Sequence, residues 1–155
     1  MPAESDHPEM LVPAPFVYAG FVLAALLLHW ALPLGVPAST FLRGLGAVLV
    51  VAGLSLGGLA ARSMMRSHTT VSPHRPATVL VTSGPYRFTR NPIYLGFLLI
   101  FLGFTLMAGT LWGILLAPVL PILVNWLVID PEERYLQHRF PGDYGQYRSR
   151  VRKCI

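Results

Sequence analysis

The chain has 155 residues and a formal net charge of +5; 54% of its residues are hydrophobic and only 12% are charged. Because soluble domains carry a charge on roughly a quarter of their residues, this composition excludes an ordinary soluble enzyme. It predicts an all-α polytopic membrane protein with about four spans of roughly 20 residues each. No room is left for a separate soluble domain, so residues 1–155 are expected to form a single domain.

The chain begins with a short acidic segment. Glu4, Asp6 and Glu9 occur there without Lys or Arg, which does not fit the basic start of a secretory signal peptide. We therefore expect the first hydrophobic run, about 15–32, to be a retained span. The lone cysteine, Cys154, excludes an internal disulfide and a multi-cysteine metal site, so no metal ligands are predicted.

The second hydrophobic run, about 41–61, contains glycines at a spacing typical of closely packed membrane helices. Gly53 and Gly57 are four residues apart, which places two small residues on one helix face. We predict that they pack against a neighbouring span. Gly44 and Gly46 do not indicate a dinucleotide site, because the third glycine and the following acidic residue of that motif are missing.

A loop with five arginines, about 62–91, follows the second span. The preceding connection, about 33–40, carries no charge, so the positive-inside rule assigns the arginine-rich loop to the cytoplasm. We therefore expect an integral protein of a bacterial inner membrane. Both of its termini and its active site are expected to be cytoplasmic.

Two further hydrophobic runs, about 92–108 and 111–129, are joined by the dipeptide Gly109-Thr110. A connection this short predicts a tight helical hairpin. Pro118 and Pro121 lie inside the fourth run and should kink it. The space beside a kinked helix offers a substrate a route from the bilayer.

Two features near the inner end of the fourth run each admit two interpretations. Asn125 lies at membrane depth, where it either hydrogen-bonds a neighbouring helix or has a functional role. The sequence Asp130-Pro131-Glu132-Glu133 is typical of a helix start, with Asp130 as the cap and the glutamates near the positive end of the helix dipole. The same glutamates could instead hold a cationic ligand.

The tail, about 130–155, is polar and basic, with aromatic and apolar residues at helical spacing. This pattern predicts one or two amphipathic helices along the inner leaflet, whose basic face meets anionic lipid headgroups. Membrane lipids are therefore expected partners. The sequence shows no motif of a nucleic-acid-binding fold, so nucleic acid is not an expected partner. The sequence leaves the oligomeric state open.

Two segments carry a resemblance to a known family: LVTSGPYRFTRNPIYLG over residues 80–96 and EERYLQHRFPGDYGQY over residues 132–147. Together with the hydrophobic hairpin between them, they resemble the integral-membrane methyltransferases that use S-adenosylmethionine (SAM). That family includes isoprenylcysteine carboxyl methyltransferases and phospholipid N-methyltransferases. The resemblance covers a little under half of the chain, and it implies that the cytoplasmic loop and the C-terminal helices form a SAM site.

The resemblance also implies three groups of cofactor contacts: the entry to the loop with its tyrosine, an Asn-Pro-x-Tyr box and a glutamate pair. In this chain they are Thr78, Val79, Leu80, Val81, Tyr86, Asn91, Pro92, Ile93, Tyr94, Glu132 and Glu133. The isoprenylcysteine branch has histidine where this chain has Asn91 and Thr78. The asparagine form is similar to the phospholipid branch, which argues against a prenylated-protein substrate.

A methyl group on a sulfonium is already activated, so such an enzyme mainly positions a nucleophile and excludes water. Tyr86, Tyr94 and Trp126 offer aromatic faces for the cation, and the glutamate pair offers carboxylates. We therefore expect a SAM-dependent methyltransferase acting on a lipid-like or hydrophobic small-molecule acceptor, with no catalytic acid or base identified. An NADPH-dependent membrane reductase of the steroid reductase type and a non-enzymatic membrane subunit stay open as alternatives.

Overall fold

A computed structural model of the chain describes residues 12–35, 39–67, 69 and 77–153. Within these ranges the named elements are all helical, as the composition predicted. They are α1 Ala14–Ala31, α2 Thr40–Arg66, a 3-10 turn Gly84–Arg87, α3 Pro92–Met107, α4 Leu111–Leu116, α5 Val119–Val124, a π-helical segment Asn125–Ile129, α6 Asp130–Arg139 and α7 Pro141–Arg150. Expectations about the acidic start of the chain, residues 70–76 of the loop and Cys154 fall outside the described residues.

Two of the described helices are long and apolar enough to cross a membrane: α1 with 18 residues and α2 with 27. They match the predicted spans at about 15–32 and 41–61. The predicted span at about 92–108 is α3, an apolar helix of 16 residues that is about 24 Å long at 1.5 Å per residue. Gly109, whose φ is 66°, and Thr110 then make the predicted tight connection to α4.

The predicted fourth span, about 111–129, is not one continuous α-helix. The helix ends at Leu116 and resumes at Val119. Pro118 lies in this break and has no N–H to donate to the carbonyl four residues before it. Pro121 lies in the first turn of α5, where a missing N–H leaves the helix intact. The predicted kink is therefore a break at Pro118.

A π-helical turn, Asn125–Ile129, leads from α5 directly into α6. The Asp130 N–H donates to the Asn125 carbonyl, five residues back instead of four. In regular α-geometry the Pro131 ring would press on the Leu127 carbonyl, and the wider turn just before it relieves that contact. Because Asp130 is already helical, with φ −64° and ψ −42°, the prediction that it caps a new helix is wrong.

Glycines allow α2 and α3 to pack backbone against backbone. A Cβ added to Gly53 would lie 2.5 Å from the Gly96 carbonyl oxygen, and one added to Gly46 would lie 2.6 Å from the Gly103 carbonyl oxygen. The prediction that Gly53 packs against a neighbouring helix is confirmed. The same holds for the backbone of Gly57, because a Cβ added to Gly96 would lie 3.2 Å from the Gly57 nitrogen, although a Cβ on Gly57 itself would meet no atom within 4 Å. Gly46, seven residues before Gly53, extends this contact along α2.

Two apolar cores hold the described residues together. The first joins α1, α3, α5 and the π-helical segment around Tyr18, Phe101 and Leu120. The second joins the end of α2, the loop before α3 and α7 around Ala60, Val81, Tyr86, Tyr144 and Tyr147. The second core brings the loop and the helix α7 together, although more than 50 residues separate Tyr86 from Tyr144 along the chain.

Candidate functional site

Tyr94 and Glu132 meet at the junction of α3 and α6. The Tyr94 hydroxyl donates a hydrogen bond of 2.7 Å to Glu132 Oε2. Tyr94 reaches this point from the first turn of α3, and Glu132 from the first turn after the π-helical segment. Tyr18 of α1 donates through its hydroxyl to the Tyr94 carbonyl at 2.9 Å, so three parts of the fold fix the tyrosine.

The carboxyl group of Glu132 lies in an enclosed, charged environment. Part of the residue reaches solvent, but its carboxyl is surrounded by protein. Burial raises the pKa of Glu132, the neighbouring Glu133 charge raises it further, and the hydrogen bond from Tyr94 opposes both effects. Burial also raises the pKa of Tyr86, and the Glu132 charge adds to that increase. Tyr86, Tyr94 and Glu132 therefore form one cluster.

Glu133 lies in a second cluster, between two cations. Arg90 Nη1 is 3.2 Å from Glu133 Oε1, and the two side chains are only 8% and 11% exposed. Lys153 Nζ is 3.7 Å from Glu133 Oε2 and 2.5 Å from Asp130 Oδ1. The Tyr144 hydroxyl interacts with both Glu133 and Arg90, and burial raises the pKa of this tyrosine.

The close approach of Arg90 and Glu133 is an ion pair that leaves hydrogen-bonding capacity unused. Arg90 Nε is buried with no hydrogen-bond partner among the residues that the structure describes, and the 3.2 Å contact between Arg90 Nη1 and Glu133 Oε1 lacks hydrogen-bond geometry. Buried polar atoms without partners are costly, and in native structures few remain. A polar ligand carrying both a donor and an acceptor would satisfy these atoms.

Asn91 holds the loop to the segment that follows α7. Its Nδ2 donates to the Lys153 carbonyl at 3.2 Å, and no side-chain capping bond to α3 forms. The Thr89 hydroxyl donates to the same carbonyl at 3.3 Å and accepts from the Asn91 N–H at 3.1 Å. The structure thus gives Asn91 a partner other than the α3 backbone.

A cavity of about 750 Å³ lies beside these clusters, between the entry to the loop and α7. It is lined by Thr78, Val79, Leu80, Thr82, Arg87, Phe140, Asp143, Gln146, Tyr147, Arg150 and Val151. Tyr147 forms its boundary with the buried clusters, because its hydroxyl donates to the Tyr86 carbonyl at 2.6 Å. Burial raises the pKa of Tyr147 to about 12, and the charges of Arg90 and Glu133 shift it in opposite directions.

The residues expected to contact a cofactor fall in three places. Thr78, Val79 and Leu80 line the cavity, whereas Val81 is buried in the core beneath it. Tyr86, Tyr94 and Glu132 form one cluster, and Asn91 and Glu133 join the other. Pro92 starts α3 and is buried, and Ile93 packs against the second core. Trp126 is 68% exposed, so its ring is not enclosed with the tyrosines.

Sequence reasoning missed the cations and the α7 side of the site. The sequence predicts only that Arg90 helps to keep its loop on the cytoplasmic side and that Lys153 contacts lipid headgroups. In the structure both side chains lie beside Glu133. Asp143, Gln146 and Arg150 project from α7 into the cavity wall. Arg90 directly precedes the Asn-Pro-x-Tyr box, and that adjacency is the one signal that could have indicated its role.

A model of the phospholipid methyltransferase family matches residues 41–143, which is more than half of the chain. The chain belongs to this family. It is also similar to the protein-S-isoprenylcysteine O-methyltransferase of Schizosaccharomyces pombe, at 36% identity over 89 residues. That alignment covers 55% of this chain and 36% of the yeast protein, so the chain spans about a third of its relative's length. No solved structure matches the chain. The resemblance inferred from the two signature segments is therefore confirmed, and neither comparison favours the reductase alternative.

Proposed function

We propose that the protein is a SAM-dependent methyltransferase that transfers a methyl group to a lipid-like or hydrophobic small molecule at the membrane face. The observation that carries this proposal is the arrangement around Glu132 and Glu133. Two adjacent carboxylates are enclosed by different partners, Tyr94 on one and Arg90 on the other, beside the buried Arg90 Nε, which has no hydrogen-bond partner among the described residues.

The donors and acceptors at this place fit the polar groups of SAM. Glu133 Oε1 faces Arg90 with one lone pair and can accept from an ammonium with the other, and the Arg90 Nε atom can donate to a carboxylate. Tyr86 and Tyr94 bring aromatic rings beside Glu132, where a sulfonium cation would be stabilised. When bound, SAM supplies a methyl group that is already activated for transfer.

The cavity next to the clusters is large enough for part of the cofactor. Its volume of about 750 Å³ falls in the usual range for small-molecule sites, about 300–1,000 Å³. Thr78, Val79 and Leu80 line one side, which agrees with the role that the family resemblance implies for them. The chain's contribution to catalysis is then to bind and orient the reactants and to exclude water.

We further propose that α3 and the broken helix α4–α5 act as the third and fourth spans. The arginine-rich loop and the basic tail lie on the cytoplasmic side of a bacterial inner membrane in this arrangement. A hydrophobic acceptor enters from the bilayer beside the break at Pro118 in this proposal, because the helix is interrupted there. Membrane lipids are the surrounding partners.

Calorimetric titration of the purified full chain in detergent tests this function. We expect SAM and S-adenosylhomocysteine to bind and NADPH not to bind. Binding of NADPH alone would favour a reductase of the steroid reductase type, and binding of none of the three would favour a non-enzymatic membrane subunit. Either result would refute the proposal.

A further inference from the structure

The segment after α7 returns to the loop before α3 and hydrogen-bonds to three consecutive loop residues. The Arg90 N–H donates to the Arg152 carbonyl at 3.1 Å. Thr89 and Asn91 both donate through their side chains to the Lys153 carbonyl, at 3.3 and 3.2 Å. Residues more than 60 positions apart are thereby held side by side, although the sequence predicts only lipid contact for this basic tail.

The side chain of Lys153 continues from the same point into the acidic cluster. Its ammonium lies 2.5 Å from Asp130 Oδ1 and 3.7 Å from Glu133 Oε2, and the side chain is 25% exposed. Lys153 therefore contacts the loop through its carbonyl and α6 through its ammonium. A lysine that served only to bind lipid headgroups would point to solvent instead.

Glu133 is fixed at both of its oxygens by this arrangement. Arg90 approaches Oε1 and Lys153 approaches Oε2, so two cations face the two carboxylates of Asp130 and Glu133. An enclosed carboxylate without such partners would carry a large desolvation cost. With both cations in place, the direction in which Glu133 presents Oε1 is determined.

We propose that Lys153 is a positioning residue of the methyl-transfer site, one that holds the Glu133 carboxylate and the Thr89–Asn91 turn in a single arrangement. The expected effect of Lys153 on cofactor affinity rests on the function proposed above. The contacts of Lys153 with Glu133 and with the Thr89–Asn91 segment do not depend on that function. Lys153 acts through Glu133 and Asn91, and it need not touch the cofactor.

The test compares three full-length variants in detergent with the parent protein. Lys153→Met removes the ammonium and keeps the length of the side chain, and Lys153→Arg restores a cation. Arg148→Met is the matched control, because Arg148 is exposed on α7 and its replacement removes the same charge. Two quantities are measured for each variant: the dissociation constant for SAM and the hydrogen-exchange rate of the Arg90 amide.

For Lys153→Met we expect SAM affinity to fall by about tenfold, because a Glu133 carboxylate that is no longer held in place would lose one charge-assisted contact to the cofactor. We also expect the Arg90 amide to exchange at least about tenfold faster, because its acceptor segment is released. Lys153→Arg should lie within about threefold of the parent in both measurements, and Arg148→Met should match the parent.

Three results would overturn the proposal. The first is a Lys153→Met protein whose SAM affinity and Arg90 exchange rate equal those of the parent. The second is an Arg148→Met protein that loses as much SAM affinity as Lys153→Met. The third is faster Arg90 exchange in Lys153→Met with unchanged SAM affinity, which would give Lys153 a purely structural role. Should the parent itself not bind SAM, the proposed function fails and the exchange rate alone decides whether Lys153 holds the turn. If Lys153→Met does not fold, Thr89→Val carries the same expectation, since it removes the hydroxyl bonded to the Lys153 carbonyl.

Discussion

Replacing Glu132 with glutamine separates the binding role of this residue from its structural role. The carboxylate accepts a hydrogen bond of 2.7 Å from the Tyr94 hydroxyl, and the amide oxygen of glutamine can accept the same bond in nearly the same shape. Glu132→Gln therefore removes the negative charge and little else. Because Asp130 does not begin a new helix, no helix-dipole contribution is lost with that charge.

The expected change in stability follows from the raised pKa of Glu132. Burial, together with the Glu133 charge, raises this pKa above its ordinary value of 4.5. The folded state then binds the proton more tightly than the unfolded state, so the free energy of unfolding falls as the pH rises from about 4.5 through the raised pKa. Glutamine does not titrate, so the variant lacks this decrease. At neutral pH it should be at least as stable as the parent.

The expected change in binding has the opposite sign. A charge-assisted contact to a bound cation is worth about 1.5 to 3 kcal/mol, which corresponds to a loss of at least about tenfold in affinity. Melting temperatures between about pH 4 and pH 8 and a SAM titration at neutral pH measure both effects. Tyr94→Phe is the control, because it removes the hydrogen bond and keeps the carboxylate. A Glu132→Gln protein that binds SAM like the parent would refute the reasoning.

Glu133→Gln should lower the free energy of unfolding by about 3–5 kcal/mol, because it leaves a buried guanidinium without its counter-ion; thermal melting measures this. Gly53→Ala should lower the free energy of unfolding by about 1–3 kcal/mol, since its methyl group would lie 2.5 Å from the Gly96 carbonyl oxygen. Asn91→Ser should lower SAM affinity by about tenfold with little change in melting temperature, because serine is too short to keep the bond to the tail. Reporter fusions at residues 74 and 155 should both give the cytoplasmic signal.

Each of these predictions has a result that would contradict it. A Glu133→Gln protein as stable as the parent would show that the ion pair adds nothing. Gly57→Ala is the control for Gly53→Ala, because its methyl group would meet no atom within 4 Å. Equal losses in the two alanine variants would show that the close contact at Gly53 is not the cause, because alanine favours the helix backbone at both positions. Full SAM affinity in Asn91→Ser would exclude Asn91 from the site, and a periplasmic signal from either fusion would overturn the topology.

The sequence alone determined that this protein is all-helical and which family it belongs to. The hydrophobic and charged fractions exclude a soluble enzyme, because that many apolar residues need a lipid or protein environment to cover them. Hydrophobic runs placed α1, α2 and α3 within a few residues, since span length depends only on local composition. Tyr94, Glu132 and Glu133 are predicted as site residues from the sequence because the two signature segments are local patterns.

The tertiary structure decided how those residues are partnered. Whether Asp130 caps a helix depends on whether the chain before it is already helical, and the π-helical turn set by Pro131 lies beyond the reach of a capping pattern. The sequence predicts that Lys153 faces lipid, because no local sequence pattern connects it with Glu133, 20 positions earlier. Only the packing of α7 against the loop, through Tyr86 and Tyr147, brings the tail cation to the acidic cluster.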